Sequence, residues 1–143
     1  MKPPQFLVGA LWLSALLPIL FFGCAKPAAK VDVSAQIAAL KSADKDARIN
    51  ACVELAKGGP KAVSAVPALI PLLKDADGEV RRLASYALME IGPEAKAAIP
   101  GIREHLNDPD RLVALQAINT LRAIDPTAKD LRAPPNVMTE AKP

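Results

Sequence analysis

The apolar positions of this chain recur with a period of 33 residues. KSADKDARINACVELAKGGPKAVSAVPALIPLL (41–73) aligns without gaps with KDADGEVRRLASYALMEIGPEAKAAIPGIREHL (74–106), and NDPDRLVALQAINTLRAIDPTAK (107–129) is an incomplete third copy. A half-copy, SAQIAAL (34–40), precedes them. A repeat of this length is typical of solenoids, in which each copy is one structural unit that stacks on its neighbours.

The second copy shows the pattern of two amphipathic helices. The apolar residues of the first helix follow the spacing i, i+3, i+4, i+7, i+8 and i+11, which forms one helical face. Gly92 is suited to cap this helix and Pro93 cannot continue it, so a second helix is predicted over residues 94–106. Pro100 is expected to start the main body of that helix, since an interior proline costs about 3 kcal/mol. The residues predicted to be buried are Val80, Leu83, Ala84, Ala87, Leu88, Ile91, Ala95, Ala98, Ile99, Ile102 and Leu106.

These patterns predict an all-α fold, a short α-solenoid of about two and a half helical hairpins over residues 34–125. Residues 126–143 contain a double proline and no periodic apolar face, so we predict a disordered tail there. Two and a half repeats are few for a stable stack. Marginal stability, self-association or support from a partner is therefore expected.

DGEVRRLASYALMEIGPEAKAAIPGI, in the second copy, resembles a HEAT-like repeat of the bilin-lyase type. The shared features are Asp, Val-Arg, Ala-x-x-Ala-Leu, Ile-Gly and Ala-Ile-Pro at fixed spacing, and the resemblance covers residues 34–125. It implies stacked hairpins whose first (A) helices form the convex side and whose second (B) helices form the concave side. It also implies a surface that binds another protein.

The resemblance implies a structural ladder as well. Asp44 lies four residues before Arg48, and Asp77 lies four residues before Arg81. HEAT-like proteins often use this Asp and Arg to connect adjacent repeats. The third copy has Ala114 at the arginine position, so the ladder is expected to end there.

The outer copies are more polar than the central one. Where the second copy has Leu83 and Ala87, the first has Asn50 and Glu54, and the third has Gln116 and Thr120. Terminal repeats of a solenoid often carry polar residues on the face that has no neighbour. Ordinary drift between the copies explains the difference equally well.

The N-terminal segment MKPPQFLVGALWLSALLPILFFGC (1–24) has the three parts of a secretory signal. A lysine comes first, an apolar stretch follows, and Gly23 stands at its exit. Gly23 and Cys24 resemble the lipobox of bacterial lipoproteins, although the two residues before Gly23 are bulkier than usual. In that family, cleavage precedes a cysteine that already carries diacylglycerol.

Three interpretations of this segment remain open. The resemblance implies that residues 1–23 are removed, that Cys24 is lipidated and that residues 24–33 form a tether. The apolar run also reaches the lower limit for an uncleaved membrane anchor, and a buried helix of a soluble domain is the third alternative. Lipidation would give stable anchoring in the cell envelope. Ala25, in place of the Asp that retains lipoproteins at the inner membrane, favours the periplasmic face of the outer membrane if the organism has two membranes.

Composition argues against nucleic-acid binding. The net charge is only +3, and the charges alternate in sign along the chain. Beyond Phe22, Tyr86 is the only aromatic residue. The chain therefore lacks the aromatic side chains on which bases and flat ligands stack.

The sequence predicts no catalytic residue, no metal site and no cofactor. His105 is the only histidine and is expected at a solvent-facing position near the end of a B helix. No nucleophile motif accompanies it, and a metal would need several converging ligands. Cys52 is interpreted as a packed apolar side chain. An intermolecular disulfide and a reactive thiol are the alternatives.

We therefore expect a lipid-anchored envelope protein that serves as a non-catalytic scaffold or adaptor for another envelope protein. A bilin-lyase-like enzyme or chromophore chaperone, and a self-associating structural protein, are the rival hypotheses. Helical phase places the candidate contact residues on the outward side of the B helices. They are Lys61, Ser64, Pro71, Lys74, Lys96, Arg103, Glu104 and His105.

Overall fold

The computed structural model describes residues 31–128 and residue 131. Every secondary-structure element within these residues is helical, and the prediction of a short all-α solenoid is confirmed. Several sequence predictions fall outside the described residues. These are the signal segment (1–23), the lipidated Cys24, the tether up to residue 30, and residues 129, 130 and 132–143 of the tail.

The element order is helix, hairpin, hairpin, helix. Helix α1 (Val33–Ala39) is the half-copy, and helices α2 (Lys45–Gly58), α4 (Gly78–Ile91) and α6 (Arg111–Ile124) are the A helices of the three copies. Two composite segments separate the A helices. The first B segment (59–74) contains helix α3 (Val66–Leu69), and the second B segment (92–107) contains helix α5 (Ile99–Glu104), each flanked by 3₁₀ turns.

Aspartate begins each A helix. The side chains of Asp44, Asp77 and Asp110 accept hydrogen bonds from the backbone N–H groups two residues further on, at 3.1, 2.9 and 2.8 Å. These N–H groups have no partner inside the helix, so the carboxylates stabilise the first turn. A glycine follows the last residue of α4, and Gly92 has φ +80°, a region that L side chains rarely adopt. The chain turns sharply there into the second B segment.

Proline explains why the B segments are composite. Pro67 and Pro100 lie in the first turn of α3 and α5, where the missing N–H would have no helical partner. The 3₁₀ turns before them accommodate the change in backbone geometry. The prediction that Pro100 starts the main body of its helix is confirmed.

The apolar face predicted for the second copy forms the core. All six residues predicted on α4 are buried, as are Ala95, Ala98 and Ile102 of the second B segment. Ile99 and Leu106 are half-buried and pack against the same core. The side chains of this core are mainly alanine, leucine and isoleucine, which suits closely packed helices.

The three A helices form one layer, with α4 between α2 and α6. Ala51, Ala84 and Ala117 occupy the same position of each A helix and are fully buried, so small side chains let the helices of each hairpin approach closely. After α6 the chain turns at Asp125, and Leu131 is half-buried against the core. Among the described helices, none is both long and apolar enough to cross a membrane.

Candidate functional site

The contacts between repeats determine which surfaces are free to bind. Each A helix is preceded by a short polar turn, SAD (42–44), DAD (75–77) or DPD (108–110). The first side chain of each turn accepts a hydrogen bond from the backbone N–H of the third residue, at 3.1, 3.0 and 2.8 Å. We call these the leading turns.

Arg81 connects the leading turns of the second and third repeats. Its Nε donates to Oδ2 of Asp108 at 2.8 Å, and its Nη2 donates to Oδ1 at 3.0 Å. Its Nη1 donates to the backbone carbonyls of Asp75 and Ala76 at 2.8 and 3.2 Å. A planar guanidinium that binds both oxygens of one carboxylate fixes distance and orientation together. The side chains of Arg81 and Asp108 are 15% and 7% exposed, so solvent screens the pair little.

Arg48 makes the equivalent connection one repeat earlier. Its Nη2 donates to Oδ1 of Asp75 at 3.1 Å, and its Nε lies 2.9 Å from Oδ2. Its Nη1 donates to the carbonyls of Ser42 and Ala43 at 2.9 and 3.0 Å. The two arginines thus contact equivalent groups at the two junctions, although Nε forms a hydrogen bond only in Arg81. Ala114 takes the arginine position in α6, and it carries no group that could form a third connection.

The acids of the ladder differ from those predicted. Arg48 and Arg81 bind Asp75 and Asp108, two residues before the helix caps, and not Asp44 and Asp77. Asp44 and Asp77 point into the first turns of their own helices and cap them. Asp77 has one additional contact with the previous repeat, 3.5 Å from Nζ of the exposed Lys45.

The pKa shifts agree with this arrangement. Burial raises the pKa of Asp108, but the hydrogen bonds from Arg81 and from the backbone of Asp110 lower it more, and its pKa lies below the ordinary value of 3.8. The same carboxylate raises the pKa of Arg81. The pKa of Asp77 is lowered mainly by the backbone N–H of Val80. These carboxylates are therefore charged in the folded protein at neutral pH.

His105 was expected to face solvent, and that prediction is wrong. Only 4% of His105 is exposed. Its Nε2 lies 2.5 Å from the carbonyl oxygen of Leu73, and its Nδ1 lies 3.1 Å from Oγ of Ser85. Because a carbonyl can only accept, Nε2 carries a proton and donates it to this hydrogen bond, and the serine hydroxyl is the partner of Nδ1. The histidine is a second polar connection between repeats, and it cannot contact a partner.

The polar residues of the outer copies differ in exposure between the two ends of the solenoid. Asn50 is exposed and Glu54 is half-buried in α2, where no A helix precedes them. Thr120 is fully buried, and its Oγ1 lies 3.0 Å from the carbonyl oxygen of Ser85 in α4. Gln116 also faces α4, with Nε2 3.5 Å from Sδ of Met89. In the third copy these polar residues therefore face a neighbour.

The outward side of the B segments is the candidate binding surface. The remaining predicted contact residues are all exposed: Lys61, Ser64, Pro71, Lys74, Lys96, Arg103 and Glu104. We call these seven residues the B surface. The sequence analysis did not identify Val63, which is 43% exposed beside them.

Charge on the B surface is mostly positive. Nζ of Lys74 lies 3.4 Å from the carboxylate of Glu104 in the next repeat, with both side chains well exposed. Hydrogen bonds from Thr127 lower the pKa of Asp125, and Lys96 and Arg103 lower it further. These two cations therefore lie near the end of α6. Within the described part of the chain, Lys61, Lys96 and Arg103 form no ion pair.

The thiol of Cys52 is the next group with reactive chemistry. Cys52 is fully buried, and burial, reinforced by the nearby Asp75, raises the pKa of its thiol to about 12. It is a packed, unreactive side chain. No group of His, Cys, Asp and Glu in the described residues could hold a metal ion.

A family model described as HEAT repeats matches residues 33–122. The match covers α1, both B segments and nearly all of the three A helices. None of the curated proteins compared with the chain matches it.

We expect Asp108→Asn to destabilise the protein by about 2–4 kcal/mol at pH 7, because it removes the charge opposite Arg81 in a poorly solvated contact. Since the folded-state pKa of Asp108 is lowered from 3.8, this stabilisation is present above that value and is lost as the pH falls through the folded-state pKa. Urea unfolding of both proteins at several pH values measures the difference.

Asp46→Asn is the matched control, since Asp46 is exposed in the first turn of α2. This substitution should change the free energy of unfolding by less than about 0.5 kcal/mol. Equal stability of Asp108→Asn and the parent at pH 7 would contradict the role given to this contact.

Proposed function

Since the chain belongs to the HEAT-repeat family, we propose that it is a non-catalytic adaptor of the cell envelope that binds another protein through its B surface. HEAT repeats generally act as protein-interaction scaffolds. The proposal adds the surface, the character of the partner and the location. The observation that carries it is the excess of exposed cations on the B surface.

On α2 and α4, most charged side chains are engaged within the protein. Arg48 and Arg81 are bound in the junctions. Arg82 pairs with Glu79 and Lys57 pairs with Glu54, each three residues apart on the same helix. These two helices therefore offer little uncompensated charge, whereas Arg111 and Arg122 of α6 are exposed.

The B surface carries an excess of positive charge. Lys61, Lys74, Lys96 and Arg103 face solvent. Lys74 pairs with Glu104, and Lys96 and Arg103 lie near Asp125 at the end of α6. A positively charged surface attracts a negatively charged one and steers its approach. We therefore propose an acidic protein surface as the partner.

The composition of the B surface limits the strength of the contact. Binding hot spots are enriched in tryptophan, tyrosine and arginine, and Arg103 is the only such residue on this surface. Exposed prolines and short side chains supply most of the remaining area. We expect moderate affinity that falls as the salt concentration rises.

The location rests on the N-terminal segment, which the sequence analysis interprets as a lipoprotein signal ending at Cys24. A lipid on Cys24 would hold the repeats at a membrane surface through the tether that ends at α1. The partner would then be another protein of the envelope.

Photo-crosslinking in cells tests the proposed surface. Ser64 and Ala97 occupy the same position in the two B segments, and both are exposed. A photoreactive residue at either position should yield an adduct with a second protein. Asn119, exposed on α6, is the control position and should yield none.

Adducts at Asn119 that equal those at Ser64 and Ala97 would contradict the B surface as the binding site. An adduct with the mass of two copies of this chain would instead support the self-associating alternative. Arg103→Glu should reduce the Ser64 adduct, because it reverses a charge that the acidic partner would meet.

The location is tested by the intact mass of the N-terminal peptide from membrane-extracted protein. We expect a chain that starts at Cys24 and carries added acyl mass, and Cys24→Ser should abolish that modification. An unmodified peptide that retains Met1 would rule out the lipoprotein and leave a signal anchor or a soluble protein.

A further inference from the structure

Leucines are exposed on α6, the last A helix of the solenoid. Leu112 and Leu115 are 58% and 38% exposed. The last repeat of a solenoid needs a polar outer face to remain soluble. At the aligned positions, α4 has the ion pair between Glu79 and Arg82. The exposed side of α6 therefore lacks the polarity expected of a repeat that has no neighbour.

The earlier repeats show which of the two leucines would meet a following A helix. Leu115 aligns with Ile49 of α2, which is half-buried and packs against the core. Leu112 aligns with Asp46 and Glu79, which are both exposed although an A helix follows each of them. Leu115 is thus turned toward the position of a following helix, and Leu112 is turned outward.

Two arginines flank Leu115 on α6. Arg111 and Arg122 are exposed, and neither forms an ion pair with another described residue. At about 100° per residue, both point within about 40° of Leu115. We call Arg111, Leu115 and Arg122 the C-end surface. It is an apolar side chain between two cations.

The other end of the A-helix layer carries acidic groups. Asp44 and Asn50 are exposed and Glu54 is half-buried, on the side of α2 that no described A helix precedes. Glu54 pairs with Lys57 of its own helix, and Asp44 forms no ion pair among the described residues. We call Asp44, Asn50 and Glu54 the N-end surface. Its charge is negative, opposite to that of the C-end surface.

A contact inside the chain shows how Arg111 would meet an acid of the next unit. Nζ of Lys45 lies 3.5 Å from Oδ2 of Asp77 in the following repeat. Lys45 aligns with Arg111, and Asp77 aligns with Asp44. If a second copy followed α6 as α4 follows α2, its Asp44 would therefore lie within reach of Arg111.

A second internal contact places Arg122 in the same way. Nε2 of Gln116 lies 3.5 Å from Sδ of Met89 in the preceding repeat. Met89 aligns with Arg122, and Gln116 aligns with Asn50. Glu54 lies one helical turn after Asn50. Arg122 would therefore meet an amide and a carboxylate of the second copy.

The ladder positions of the two ends match as well. Ala114 takes the arginine position in α6, and Ser42 takes the position of the ladder acids Asp75 and Asp108. Neither end carries a ladder charge, so a junction between two copies would bury no unpaired charge of this kind.

We propose that a second copy of the chain stacks head to tail on this one, with its N-end surface against the C-end surface. Leu115 is then covered as Ile49 is within the chain. Because the two surfaces differ and the copies stack as the repeats do, the assembly is open-ended. The inference is independent of the function proposed above, since none of these residues lies on the B surface.

Sedimentation equilibrium of the purified full chain tests the proposal. Density-matched detergent keeps the apolar N-terminal segment from associating on its own. Exposed ion pairs are weak and are screened by salt. We therefore expect a mass that rises as the concentration approaches about 0.1–1 mM, and a smaller rise at high salt.

Variants of the two ends test the head-to-tail arrangement. The C-end variant carries Arg111→Glu and Arg122→Glu. The N-end variant carries Asp44→Asn and Glu54→Gln, in which asparagine keeps the helix cap. Each variant alone should associate at least about threefold more weakly than the parent. Their mixture should form dimers, because each retains the surface that the other has lost.

The two exposed leucines give a matched pair of controls. Leu115→Asn should weaken the association, whereas Leu112→Asn should not, although Leu112 is the more exposed of the two. Arg103→Glu on the B surface should leave the association unchanged. This proposal and that for the B surface can therefore fail separately. Circular dichroism verifies that each variant is folded.

A monomer at every concentration would overturn the proposal. Equal weakening by Leu112→Asn and Leu115→Asn would overturn the register that turns Leu115 toward the second copy. Association of the N-end variant as strong as that of the parent would show that two identical surfaces meet, which would also overturn it.

Discussion

The structure depends on holding each repeat at a fixed distance from the next, and the contact between Arg81 and Asp108 does this for the second and third repeats. A single hairpin of short alanine- and leucine-rich helices cannot enclose a core, so each repeat needs its neighbour at a fixed distance. The guanidinium holds the carbonyls of one leading turn and the carboxylate of the next. Because that carboxylate also orders the turn before α6, one arginine couples the start of a helix to the spacing between repeats.

The polar groups that connect the repeats lie away from the B surface, which is therefore free to bind. Arg48, Arg81 and the aspartates of the leading turns are occupied by junctions and helix caps, and His105 is buried in a second junction. Lys61 and Lys96 form no ion pair among the described residues, and Lys74 contacts the next repeat only through a well-exposed pair with Glu104, which contributes little to stability. Substitutions there can change binding without changing the fold, which is the property that an adaptor surface requires.

The sequence predicts most of the fold because burial follows helical phase. The buried positions of α4 and the role of Pro100 depend on local geometry, and both were predictable. The acid that meets Arg81 was not, because it lies 27 residues away and two aspartates compete for the role. His105 could have been placed correctly by the repeat, since it aligns with the buried Leu72. A histidine at a position that is buried and apolar in another copy needs hydrogen-bond partners such as Ser85. Only the three-dimensional structure identifies those partners.

The most direct test of this account is a double-mutant cycle between Arg81 and Asp108. Urea unfolding would be measured for the parent, Arg81→Met, Asp108→Asn and the double variant. The account predicts a coupling free energy of about 1.5 kcal/mol or more, because a bidentate and poorly solvated contact is lost once either partner is changed. Additive effects, with a coupling below about 0.5 kcal/mol, would show that this contact does not hold the two repeats together.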